Sequence, residues 1–187
     1  MKNKSSIYVA AFLVALILVG GLIYMSGASQ NGTGGAGGDL LGKNSDENNG
    51  VAGATFSSSD YAFSVTPLAD EIVSQMDANN PNDDGSATFV INKNGSGVVA
   101  QIIVSPYDDT SESLTQAKIV GDTGITASDW QKVTVDGAPA LSFTDTSDTP
   151  ASAQVWLVYG GFLYQISAEK SVVDSTLANL LATLKLR

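Results

Sequence analysis

Two acidic pairs, Asp83-Asp84 and Asp108-Asp109, come nearest to chemistry in this chain by residue type and spacing. Paired carboxylates supply the oxygen ligands that hard cations take, and such an ion can activate a water for hydrolysis. Asn80, Asn82 and Asp84, followed by Gly85, echo the opening of a calcium loop. An EF-hand loop, however, needs an acidic first ligand and a bidentate glutamate at its twelfth position, where this chain has Asn80 and Ile91. The plainer roles are a polar turn feeding a strand at Thr88 for the first pair and helix N-capping for the second. Trp130, Trp156, Tyr159 and Tyr164 form the second candidate set, an aromatic ligand or partner surface if exposed and core packing if covered.

Histidine and cysteine are both absent. The Ser-His-Asp relay, haem ligation by histidine, zinc held by histidine or cysteine, thiolate nucleophiles and disulfides are therefore excluded within this chain. No cofactor is expected, and no catalytic motif stands out. Nineteen acidic residues face nine basic ones, and no basic stripe interleaves with aromatics, which removes the electrostatic basis for nucleic-acid binding. The acidic balance chiefly promotes solubility.

The residues that could do chemistry must be positioned by what surrounds them, and the chain divides plainly. Residues 1–6 carry Lys2 and Lys4, and residues 7–25 are apolar on every face. At about 1.5 Å per residue a helix over that run reaches roughly 28 Å, close to a bilayer's hydrocarbon thickness. A transmembrane anchor is expected there. The positive-inside rule places the lysines in the cytoplasm and the remainder outside. The alternative is a secretory signal cleaved near Ala28, after the small residues Ser26-Gly27-Ala28, although its apolar core would be longer than such signals use. Residues 26–57 are rich in Gly, Asn and Ser and read as a flexible linker of about 30 Å root-mean-square span. Residues 58–187 are expected to form one extracytoplasmic domain.

Within that domain Tyr61, Phe63 and Val65 alternate as a strand halted by Pro67, and Leu68, Ile72 and Met76 suggest a short helix over 68–76. Three hairpins follow. Thr88 to Asn92 and Val98 to Val104 flank Asn94-Gly95-Ser96-Gly97; Trp130 to Val135 and Ala138 to Thr144 flank Asp136-Gly137; Gln154 to Tyr159 and Phe162 to Ala168 flank Gly160-Gly161. Between the first two, Asp108 to Ser111 offer N-caps for a helix carrying Leu114, Ala117 and Val120 and ending at Gly121 or Gly124. Val173, Leu177, Leu180, Leu181 and Leu184 form the apolar stripe of a closing helix over about 172–184. The pattern is α+β, with a central antiparallel sheet of about six or seven strands and helices packed on its faces.

The order of several pieces resembles PsbP-like domains: Phe63-Ser64-Val65, Val135-Asp136-Gly137-Ala138-Pro139-Ala140, Gln154-Val155-Trp156, Gly161-Phe162-Leu163-Tyr164-Gln165-Ile166, and the closing Thr183-Leu184-Lys185-Leu186. The resemblance covers most of residues 60–187 and implies a central antiparallel sheet with helices on both sides and a final helix running into a short strand. It departs from the family pattern after Pro67, where the usual tryptophan is missing. The best-known member is an extrinsic subunit of photosystem II, whereas many bacterial and archaeal relatives are secreted or membrane-tethered domains of unknown role. The expectation is therefore a non-catalytic, membrane-anchored binding or accessory module whose partner is a protein, an envelope polymer or an apolar ligand. A carboxylate-dependent, metal-assisted hydrolase and a structural cell-surface component are the alternatives.

Overall fold

A computed structural model describes residues 51–76, 84–109, 114–147, 149–170 and 175–187. The expected anchor at 7–25, most of the expected linker, and Asp83 lie outside the described residues. Among the described residues no helix is long and apolar enough to cross a membrane.

The strands are β1 (Phe56–Ser58), β2 (Phe63–Val65), β3 (Glu71–Met76), β4 (Ala87–Lys93), β5 (Gly97–Pro106), β6 (Ala127–Val135), β7 (Ala138–Asp145), β8 (Ser152–Tyr159), β9 (Phe162–Glu169) and β10 (Lys185–Leu186). Among the described residues two helices accompany them, α1 (Gln116–Thr123) and α2 (Thr176–Thr183). Seven strands make one antiparallel sheet in the order β3-β4-β5-β9-β8-β7-β6, and β1, β2 and β10 make a small second sheet. The expected α+β architecture and the seven-stranded count are thus found.

Each hairpin turns where the sequence supplies residues that accept positive φ. Asp136 and Gly137 sit at φ 47° and 85°, and Gly160 and Gly161 at 58° and 84°. Two consecutive left-handed residues give the turn whose twist matches the flanking strands.

One face of the large sheet carries the main core. Val73, Phe89, Ile91, Ile102, Val104, Tyr164, Ile166, Val155 and Leu157 point into it and meet Phe56, Phe63 and Val65 of the small sheet and Leu177, Leu180 and Leu184 of α2 and its cap. Phe89 is ringed by Phe63, Phe56 and Tyr61, all in edge contact with centroids 4.9, 5.4 and 5.7 Å away. Full burial of such a ring contributes on the order of 1.5–3 kcal/mol, and T-shaped pairs add to it. The opposite face carries a smaller cluster of Tyr107, Ile119, Phe143, Trp156 and Leu163, against which Leu114, Ile125 and Trp130 pack.

Three expectations are corrected. Residues 68–76 do not form a helix: Glu71–Met76 is an edge strand paired residue for residue with β4, Val73 opposite Ile91. The spacing of Leu68, Ile72 and Met76 fits a helix, but six ladder positions and the inward turn of Val73 outweigh it. The middle helix is capped by Thr115, whose Oγ1 accepts from Lys118 N, and not by the acidic pair at 108–109. It buries Ile119, whereas Val120 is exposed, and it ends at Gly124 in the left-handed conformation. Finally, strand structure within the described residues starts before residue 58. Phe56 of β1 is buried in the core and pairs with Val65, because an aromatic side chain gains more by covering the sheet than the tether composition around it gains by staying free.

Candidate functional site

The acidic candidates do not converge. Asp84 is exposed, and its Oδ1 accepts from both the main-chain N and the Oγ of Ser86, which holds its carboxyl below the usual carboxylate range. That is the polar turn expected before β4. Asp108 is exposed. Asp109 forms an ion pair with Lys118 at 3.2 Å, and Lys118 also reaches Asp122 at 3.4 Å. Among the described residues no group of three or more acidic side chains stands together.

The aromatic candidates divide between the two faces. Tyr164 is fully buried in the main core, and its hydroxyl donates to the Tyr61 carbonyl. Burial, and secondarily the nearby Tyr159, pushes its phenol up to about 12. Tyr159 is 39% exposed beside the β8–β9 turn. Trp130 and Trp156 belong to the other face, on either side of Phe143. Trp130 stacks on Phe143 at 4.3 Å, and Phe143 meets Trp156 edge-on at 5.7 Å. A β-bulge between Ser128 and Gln131, with Asp129 at φ 56°, re-aims Trp130 onto that ring. Hence Trp130 and Trp156 share one neighbourhood, and Tyr159 and Tyr164 lie near each other on the opposite face.

Around Trp156 the structure assembles a set of neutral polar side chains. Because strands alternate, β5, β9 and β8 turn Gln101 and Ile103, Ser167 and Gln165, and Gln154 and Trp156 to the same face. The ladder sets them in two adjacent rows: Val90, Gln101, Ser167, Gln154 and Phe143 in one, and Ile103, Gln165, Trp156 and Leu141 in the next. Trp156 Nε1 donates to Gln154 Oε1 at 3.2 Å, and Gln154 Nε2 donates to Ser152 Oγ at 2.8 Å. That chain fixes the indole. The neighbouring groups are uncommitted. Gln101, Gln165 and Ser167 are only 7%, 4% and 6% exposed, and Gln165 Oε1 is buried with no hydrogen-bond partner. An orphaned buried amide oxygen costs about 1–3 kcal/mol, and native folds hold few of them.

The central members of these rows are neutral, and the first ionisable side chain is Lys132, opposite Leu141 at the outer end of the second row; the strip itself offers hydrogen-bonding groups but no general acid–base pair. Apart from Trp156, its residues were not singled out from sequence as site candidates. Its signal is nevertheless present: a glutamine at the centre of the apolar runs Val98-Val99-Ala100-Gln101-Ile102-Ile103-Val104 and Leu163-Tyr164-Gln165-Ile166. A polar residue in a strand covered on both faces needs a partner.

A second buried polar group lies across the fold. Glu71 is fully buried on β3; its Oε1 accepts from Thr176 Oγ1 at the start of α2, and its Oε2 accepts from Leu68 N at 3.1 Å. It ties the edge strand to the covering helix and faces the core side, away from the amide strip.

No family model matches the chain, and no curated protein matches it. Among solved structures it is similar to cyanobacterial PsbP (CyanoP) from Synechocystis sp. PCC 6803, with 11% sequence identity and a TM-score of 0.48, covering 79% of this chain and 99% of that one. It is also similar to a protein from Bacteroides thetaiotaomicron VPI-5482, with 13% identity and a TM-score of 0.38, covering 72% of this chain and 48% of that one, so it spans about half of that protein's length.

Proposed function

We propose that this chain is a non-catalytic binding or accessory module, anchored by residues 7–25 and presenting its β-rich domain outside the membrane. The observation that carries this reading is the amide strip around Trp156, a concentration of uncommitted, uncharged hydrogen-bonding groups of which Gln165 Oε1 is sealed without a partner. Such groups recognise and orient a ligand. The engagement of Asp84 by Ser86 and of Asp109 by Lys118 supports binding over the hydrolase reading, which needs free carboxylates around one ion.

Two measurements test it. External protease added to intact spheroplasts should remove the domain, and the full-length chain purified from membranes should co-sediment with isolated cell-envelope polymer without releasing soluble fragments from it. A chain recovered only in the soluble cytoplasm, or one that degrades the polymer, would overturn the proposal.

A further inference from the structure

We propose that Asn94, at the tip of the β4–β5 hairpin, is a site of spontaneous modification: its side-chain carboxamide closes onto the main-chain nitrogen of Gly95 and loses ammonia, leaving aspartate and isoaspartate. The proposal goes beyond the binding reading and does not depend on it.

The structure separates Asn94 from the other two asparagines among the described residues. Asn92 Nδ2 donates to Ser74 Oγ at 3.3 Å and Asn179 Nδ2 to the Thr66 carbonyl at 2.8 Å, and the bulky Lys93 and Leu180 follow them. Asn94 is exposed, and among the described residues its side chain has no hydrogen-bond partner. Its successor is Gly95, at φ 78°, where a Cβ would meet nothing within 4 Å, so the turn is open where the ring must close. The Gly95 N–H donates to no main-chain acceptor among the described residues, whereas its neighbours are committed: Asn94 N donates to the Asp70 carbonyl and Ser96 N to the Lys93 carbonyl, both at 3.0 Å.

In the first step the Gly95 nitrogen attacks Asn94 Cγ. The N–Cγ bond forms, the Cγ–Nδ2 bond breaks, and the proton from Gly95 passes through water to the departing nitrogen, which leaves as ammonia. Water then opens the cyclic imide. Breaking its bond to Cγ yields aspartate, and breaking its bond to the main-chain carbonyl carbon yields isoaspartate, whose main chain runs through Cβ and Cγ. Either product adds a negative charge to a chain of formal net charge −10. Isoaspartate also lengthens the main chain by a methylene between Lys93 and Gly97, the terminal pair of the β4–β5 ladder, and so disturbs the bond from Asn94 N that ties this turn to the residue before β3.

The test is incubation of the purified full-length chain at neutral and at mildly alkaline pH, followed over time by peptide mapping in the mass spectrometer and by labelling with an isoaspartyl methyltransferase. Amide loss at Asn94 is expected to run about tenfold or more faster than at Asn92 and Asn179, since each of those must first give up a hydrogen bond and neither is followed by glycine. Asn31 and Asn49, also followed by glycine, lie outside the described residues, and their peptides are scored separately. The rate at Asn94 should rise with pH, because the attacking nitrogen must lose its proton, and isoaspartate should accompany aspartate. A parallel incubation in urea isolates the part the fold plays: Asn94 should react at nearly the same rate in the folded and unfolded chains. In the modified pool, amide hydrogen exchange at residue 94 and at Ser96 should quicken, whereas Asn94→Asp, which adds the charge without lengthening the main chain, should keep the parent's exchange rates. The proposal is overturned if Asn94 keeps its amide as long as Asn92 and Asn179 do, or if folding slows its loss by about tenfold or more, which would mean that the turn protects it. It is equally overturned if aspartate forms with no isoaspartate, which marks direct hydrolysis without ring closure.

Discussion

The phenol of Tyr164 donates a 2.7 Å hydrogen bond to the main-chain carbonyl of Tyr61, 103 residues earlier in the chain. The bond joins a central strand of the large sheet to the β1–β2 turn of the small one. It rests on aromatic packing, since Tyr164 meets Phe63 and Phe162 edge-on at 6.2 and 6.4 Å. One side chain therefore anchors the small sheet over the core.

Removing that hydroxyl with Tyr164→Phe should cost about 1 kcal/mol, read as a lower urea midpoint with an unchanged slope. The pH dependence carries a sign. Burial raises the folded phenol to about 12, above the value near 10 of an unfolded tyrosine. Its contribution is therefore complete below pH ~10 and is lost as pH rises toward 12. The phenylalanine variant should lose less stability over that alkaline interval, and equal losses in both proteins would contradict the assignment.

Asp136 links the β6–β7 turn to the C-terminal strand. Its Oδ1 accepts from Lys185 Nζ and its Oδ2 from Leu186 N, both at 2.9 Å. The bond from Lys185, then that from Leu186, holds the carboxyl below its ordinary range. A depressed folded value means the contribution is present above the unfolded carboxylate's value near 3.9 and is lost as pH falls through the lower folded one. Asp136→Asn keeps a residue that tolerates the positive φ of 47° at this turn while removing the charge. It should flatten the acid limb of a stability–pH profile below about pH 4, and hydrogen exchange at Leu186 should quicken.

Thr176 supplies one of the two hydrogen bonds that satisfy the buried Glu71 carboxyl. Thr176→Val preserves shape and removes the donor, so equilibrium unfolding should show a loss of about 1–3 kcal/mol. Thr176→Ser should recover most of it. A valine variant as stable as the parent would show that the bond between β3 and α2 carries no weight.

Much of the fold was legible because its signals are local. Gly160-Gly161 and Asp136-Gly137 fix tight turns through backbone conformations that other residue pairs resist, and the alternation on either side fixes the strands they join. The leucines at 177, 180 and 184 likewise marked the face of α2 that meets the sheet. The stretch at 68–76 failed for the same reason those succeeded: its local spacing suited a helix, and only the edge of β4 made it a strand.

By itself, then, the sequence determined what chemistry this chain lacks, since a missing histidine or cysteine is absent in any fold. It also determined the three hairpins. Only the tertiary structure decided which side chains meet. Gln101 and Gln165 are 64 positions apart by their numbering and become neighbours because β9 inserts between β5 and β8, a pairing set by the packing of the whole sheet and by no residue near either one. The β8–β9 hairpin puts Tyr164 and Trp156 on opposite faces, and the tertiary structure decided which face each meets: Tyr164 enters the main core beneath the small sheet, and Trp156 the smaller cluster on the other side.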